Sequence, residues 1–249
     1  MTPRDPVDLI AGYVKTNLKG EVFAPAPGWS HMGAVICDAV LQRRLRYETV
    51  VRPRIIKLRV VWPNADTVSR FRDHIARHDL QAVIDVNSPI RIKTIRDLTE
   101  RLVVAGVETR EQLNTWLDDS THGLDLQRVK WVGPKTVAYL GILVGRSQVA
   151  IDTRLRRFAA DAGVHEPDTR LVEYFTQAAA QLGCDPAGLD HAIWKHMGPE
   201  TYTFPTLTAC ETHVKIGASP FDAAPARLGV LERIPSTVAA QRPQIIDGP

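Results

Sequence analysis

An all-α fold is the class this sequence predicts, and three observations point to it. Apolar residues recur at three- and four-residue spacing through most segments. Capping and stop residues sit at the segment ends, and neither a long alternating strand series nor an internal repeat occurs. With 249 residues and 44% hydrophobic content, the chain is long enough to bury a sizeable core in one or two domains.

The first helix is expected from Asp5 to Leu18, opened by Pro6 and stopped by Gly20, with Val7, Ile10, Ala11, Val14 and Leu18 on one face. Glu21 to Trp29 carries Pro25, Pro27 and Gly28 and reads as a loop. Ser30 is the expected N-cap of a second helix through Ala34, Val35, Ala39 and Val40. Pro53 predicts a turn over Thr49 to Arg54 and a helix over Ile55 to Val61, although the run IIKLRVV also fits a short strand. Asn64 or Asp66 would cap a helix carrying Val68, Phe71 and Ile75. Ser88–Pro89 opens another, with Ile92, Ile95, Leu98 and Leu102 inward and Gly106 at its end. Thr109 with Gln112 matches a capping box for a short helix through Leu113 and Trp116.

Further helices are expected around Leu124 to Val129, over Pro134 to Val144, from about Asp152, over Asp168 to Leu182 and over Pro186 to His196. A turn separates two of them at Gly145–Arg146. After Met197 the pattern weakens, and 217–249, rich in Pro and Ala, reads as an extended tail that wraps or frays.

Net charge is only +3 and the sequence pI about 8.8, but the basic residues are clustered. Arg43, Arg44, Arg46, Arg52, Arg54, Lys57 and Arg59 have Glu48 as their only acid. Arg128, Lys130, Lys135, Arg146, Arg154, Arg156 and Arg157 have Asp152. Such clusters create local positive potential suited to a polyanion, where the plain alternative is solvated helix faces. Cys37, Cys184 and Cys210 are odd in number and far apart, which fits a reducing compartment and no disulfide framework. No closely spaced Cys/His set suggests zinc or an iron–sulfur cluster, and His191 and His196 lack ligand company. No signal peptide or membrane span is expected, so the sequence reads as a soluble cytoplasmic protein.

The chemistry concentrates in Leu126 to Arg157, LQRVKWVGPKTVAYLGILVGRSQVAIDTRLRR. A short hairpin (Lys130, Trp131, Val132, Gly133) precedes Pro134, Lys135 and Thr136 at a helix start, and Asp152 follows seventeen positions after the lysine. A tight turn between helices turns backbone N–H groups and a positive helix end outward, which suits a phosphate oxygen. An amine beside that turn and a carboxylate after an apolar helix suggest a nucleophile with an acid/base partner.

On these residues the chain resembles the helix-hairpin-helix/Gly-Pro-Asp (HhH-GPD) superfamily of DNA glycosylases, closest to its endonuclease III-like branch. That family's hairpin reads roughly L-P-G-V-G-x-K-T-A and precedes a V-D-T segment; Val132, Gly133, Lys135, Thr136, Ile151, Asp152 and Thr153 stand in matching places. The resemblance covers about Ser30 to Met197. It implies a two-lobed helical fold with a DNA-binding cleft, one lobe from 1–29 and 145–216 and the other from 30–144, with the helix-hairpin-helix at about 124–144. By position Lys135 matches the family's Schiff-base lysine and Asp152 its essential aspartate. The implied activity is base excision with lyase cleavage 3′ to the abasic site, without a cofactor, on double-stranded DNA carrying a damaged or modified base. A monomer, associated with the nucleoid through DNA, is expected.

Lys130, Trp131, Val132, Gly133, Thr136, Arg43, Arg44, Arg46, Arg52 and Arg154 are the expected DNA contacts. Gln42 and Tyr47 are the candidates for the wedge that fills the space of a flipped base. Trp29, His31 and Trp194 are candidates for the base pocket. Two departures stand out: Lys130–Trp131 replaces Pro-Gly in the hairpin, with core packing the favoured role for Trp131, and the family's four-cysteine loop is absent. Two rival readings remain open, a specialised glycosylase for an unusual or hypermodified base and a non-catalytic DNA-binding module in which Lys135 and Asp152 are structural.

Overall fold

Side chains that accept the first unpaired N–H groups set most of the helix starts. The computed structural model describes residues 5–198 and contains twelve α-helices and no strand among them. They are α1 (Pro6–Asn17), α2 (Met32–Leu41), α3 (Arg52–Val61), α4 (Val68–Arg77), α5 (Leu80–Ile84), α6 (Pro89–Val104), α7 (Arg110–Trp116), α8 (Ser120–Leu126), α9 (Pro134–Leu143), α10 (Thr153–Asp161), α11 (Asp168–Leu182) and α12 (Pro186–His196). The expected tail and the 199–216 segment lie outside the described residues.

Several boundaries move for identifiable reasons. His31, not Ser30, caps α2: its Nδ1 accepts the Ala34 N–H at 3.0 Å while Nε2 donates to the Trp62 carbonyl at 2.8 Å. That pair of bonds requires the neutral ring, and burial, the largest influence, lowers the His31 pKa in the same direction. The turn expected at Thr49 to Arg54 is instead a π-helical turn (Tyr47–Val51) running directly into α3. Pro53 sits in the first turn of α3, where its missing N–H costs nothing, and IIKLRVV is helical. Thr67 rather than Asn64 or Asp66 caps α4. α5 was not expected, and Asp119 starts α8 several residues before Leu124.

Two buried clusters organise these helices. The first spans residues 32–144 and centres on α2, whose ten residues are all buried and which packs against α3, α4, α6 and α9. A helix apolar on every side belongs inside. The second cluster joins α1, α10, α11 and α12, with α1 against α11 and Phe158 and Phe175 at its centre. Ile142, Ala150 and Ala187 form a small third patch from α9, the 148–152 segment and α12.

The Pro-rich loop is a strap over this junction. A Cβ on Gly188 of α12 would collide with the Phe23 carbonyl, and one on Gly28 with the carbonyl of Leu143 at the end of α9. Gly188→Ala is therefore expected to destabilise the protein by about 1–3 kcal/mol, because backbone cannot move aside as a side chain can. Gly12→Ala, inside α1 with open space around it, is expected to stabilise by about 0.5–1 kcal/mol. Chemical denaturation of both variants checks the pair.

Candidate active site

Under the strap lies a small, open-mouthed pocket of about 60 Å³. Its walls come from Gln42 at the end of α2, Tyr47, Lys135 and Tyr139 of α9, Asp152, and Asp190 and Trp194 of α12. Two residues seventeen positions apart in sequence, Lys135 and Asp152, thus face one space.

Each is placed by its helix. Gly133 and Pro134 open α9, so Lys135 stands in its first turn. The Lys135 ammonium donates to the Gln42 side-chain carbonyl and lies 4.9 Å from the centre of the Tyr139 ring. Asp152 caps α10, one carboxylate oxygen accepting the N–H groups of Arg154 at 2.9 Å and Leu155 at 3.0 Å. Capping and pocket lining coexist in one side chain, and the cap fixes the carboxylate's direction.

Two further carboxylates complete the electrostatics. Asp190 accepts the Ala150 N–H at 2.7 Å, which ties α12 to the segment that delivers Asp152. Burial, the largest influence, pushes its pKa up to about 7; the Ala150 hydrogen bond opposes this, the Asp152 charge adds to it and the Lys135 charge opposes it. Asp38, fully buried in α2, accepts from Trp29 Nε1 at 2.6 Å, Tyr47 Oη at 3.2 Å and Tyr139 Oη at 3.3 Å. Burial pushes it up to about 6 against those three donors. Lys135 is lowered: desolvation outweighs the attraction of Asp152, Asp190 and Asp38, and Arg154 adds its repulsion. A less basic amine beside acids that hold protons near neutrality is an arrangement for proton transfer.

The expected DNA contacts divide into two groups. Lys130, Trp131, Arg43, Arg44, Arg46 and Arg52 are exposed, as is most of the surface near the hairpin. The Lys135 and Thr136 backbone N–H groups have no acceptor among the described residues, at the positive end of α9. Val132 is a correction: its side chain is in the core, and its N–H is spent on the Val129 carbonyl at 3.0 Å. The Arg154 guanidinium lies 4.4 Å over the Trp194 ring and donates to the Trp194 carbonyl at 3.0 Å. It is half-buried behind Trp194, which lines the pocket.

Gln42 and Tyr47 do not stand clear as a wedge; both line the pocket, one held by Lys135 and the other by Asp38. Of the pocket candidates, Trp194 is a lining residue, Trp29 serves Asp38, and His31 is the buried cap of α2. Trp131 is not in the core; it is 48% exposed. Asp38, Tyr139 and Asp190 were missed. For Asp38 part of the signal was present, since an acid inside the otherwise apolar MGAVICDAVL cannot be surface decoration; Asp190, in a helix that also carries His191, Lys195 and His196, gave none.

The model of a family described as a domain of unknown function (DUF8548) matches residues 9–198, and the chain belongs to that family. No curated protein and no solved structure matches it. Among the described residues no group of three or more His, Cys, Asp or Glu side chains is arranged for a metal ion, and no helix is long and apolar enough to cross a membrane.

Asp190 gives a pH signature. Its folded pKa of about 7 lies above the value of about 4 usual in an unfolded chain, so the fold resists its ionisation. Its protonated form is favoured below pH 4, and the stability is lost as pH rises through 7. Asp190→Asn, which keeps the acceptor for Ala150, should match wild type near pH 4 and exceed it by about 2 kcal/mol at pH 8, allowing for screening at the pocket mouth. Urea titrations at the two pH values read the gap; a gap independent of pH would remove Asp190 from the buried acids.

Proposed function

We propose that this member of the DUF8548 family is a DNA glycosylase with abasic-site lyase activity, in which Lys135 is the nucleophile and Asp152 the electrostatic partner. The observation that carries the reading is the meeting of Lys135 and Asp152 in one pocket, next to a hairpin with free N–H groups and exposed cations. The motif resemblance supports the same assignment.

The residues have distinct tasks. Lys135 must be neutral to attack C1′ of the sugar, and its depressed pKa keeps a usable fraction so. Asp190, in the same pocket, accepts the proton that Lys135 gives up. The amine nitrogen bonds to C1′ as the bond to the base breaks, and the departing base leaves with the electron pair. Asp152 stabilises the positive charge that develops on the sugar. Asp190 returns its proton to the ring oxygen O4′, and breaking of the C1′–O4′ bond opens the sugar and leaves the iminium between Lys135 and C1′. Removal of a C2′ proton then expels the 3′ phosphate and cuts the strand. Exposed Arg43, Arg44, Arg46 and Lys130, with the α9 N-terminus, hold the phosphates on either side.

Borohydride trapping on a duplex with one abasic site tests this. Wild type is expected to form a covalent protein–DNA adduct, and Lys135→Ala none. On a duplex carrying the cognate base, Asp152→Asn is expected to slow release by about 10²–10³-fold, the loss usual for one electrostatic partner. An adduct that persists in Lys135→Ala, or a wild type that never traps, would overturn the lyase assignment. Mass spectrometry of bases freed from DNA pools with different lesions and natural modifications identifies the substrate.

A further inference from the structure

The hairpin tip contains a residue that the folding of the chain does not explain. Trp131 has φ of +74°, a region in which glycine is at ease and a bulky side chain pays about 1–2 kcal/mol. Its neighbours leave it no freedom: Val132 is anchored in the core, and the Lys130 carbonyl accepts the Thr94 hydroxyl at 3.4 Å. The backbone strain is thus fixed from both sides. The indole gains little burial in return, since nearly half its surface is open.

Two cations are drawn up against that ring. The Arg43 guanidinium lies 5.0 Å from its centre and the Lys130 ammonium 5.6 Å. Arg43 is itself held, because its carbonyl accepts from the Arg91 guanidinium at 2.6 Å. An exposed π surface with fixed cations at its side, beside the free N–H groups of α9, matches a nucleotide: base on the ring, phosphate on the charges.

We infer that Trp131, backed by Arg43 and Lys130, is a stacking platform for a base that has lost its own stacking partner, so that the hairpin selects distorted DNA over regular duplex. The inference rests on the DNA-directed reading above and adds to it. Gln42 and Tyr47 lie inside the pocket, and Trp131 is the aromatic that stands outside it. A regular duplex offers the ring no open base face, whereas an abasic site, a mismatch or a single strand does. The strain at Trp131 is then held for recognition rather than for folding.

The test compares affinities of the full chain for an intact duplex and for the same duplex with a 2-aminopurine opposite a tetrahydrofuran abasic analogue, which has no C1′ leaving group or aldehyde for Lys135 to attack. Wild type should prefer the distorted duplex and quench the 2-aminopurine. Trp131→Gly, which also relieves the strained φ, should cut the preference by about tenfold and abolish the quenching, while Trp131→Phe keeps most of both. Thermal unfolding of Trp131→Gly should show no loss of stability, so weaker discrimination cannot come from misfolding. If Trp131→Gly keeps the wild-type preference, the stacking role is wrong while the glycosylase reading stands. If wild type binds neither DNA, both are wrong.

Discussion

One buried carboxylate holds the arrangement around the pocket together. Asp38 has no exposed surface, so three hydrogen bonds must replace its water. Those bonds come from Trp29 after the strap, from Tyr47 on the π-helical turn and from Tyr139 on α9. Three separate segments are thereby fixed relative to α2. Removing the carboxylate alone would leave three buried donors unpaired, each costing about 1–3 kcal/mol. Tyr139 is the residue under the Lys135 ammonium, so the same carboxylate governs where the lysine can sit.

The balance at Lys135 is decided by competition between two large opposing effects. Three carboxylates attract its charge, and in water they would make it more basic. Packing strips enough solvent that desolvation wins and the pKa falls. The same packing pushes Asp38 and Asp190 up, to about 6 and about 7. Burial therefore disfavours the charged form of the amine and of both acids. Asp152 differs in its setting, for its carboxylate is held by the α10 N–H groups of Arg154 and Leu155. A single pocket thus holds two acids in different surroundings, Asp152 in a helix cap and Asp190 under burial.

Local grammar made most of the helices legible, and it failed where tertiary contacts overrode it. Asp168 to Leu182 and Pro186 to His196 were readable to the residue, because proline, cap and apolar stripe agree there. Ser30 was the better N-cap by type, yet His31 takes the role because Trp62, thirty-one residues on, holds its other nitrogen. The turn at Pro53 vanished for a similar reason: Val51, Ile55 and Leu58 all reach the core only if the chain stays helical. Within the site, Lys135 and Asp152 were visible from their motif. Asp38 was legible only as a buried acid, not as the partner of Trp29, Tyr47 and Tyr139, and nothing local says that Asp190 faces a pocket that distant segments build. The outward placement of Trp131 has the same origin.

The hairpin shows how sequence and structure can each be half right. Lys130–Trp131 in place of Pro-Gly put the tight turn in question, yet the turn forms, with Trp131 carrying the backbone conformation that a glycine would adopt freely. Selection for stability alone would favour the glycine, because it removes both the strain and an exposed indole. A tryptophan that satisfies neither interest must be kept by something outside the folding balance. The cations set against its ring indicate the chemistry of that interest, a flat aromatic group attached to negative charge. The free N–H groups a few residues away, at the start of α9, then place the charge. Pocket and hairpin are joined through α9, since the helix whose first turn carries Lys135 begins at the turn that Trp131 closes. On the proposed reading, a strand held at the tip is held in register with the amine.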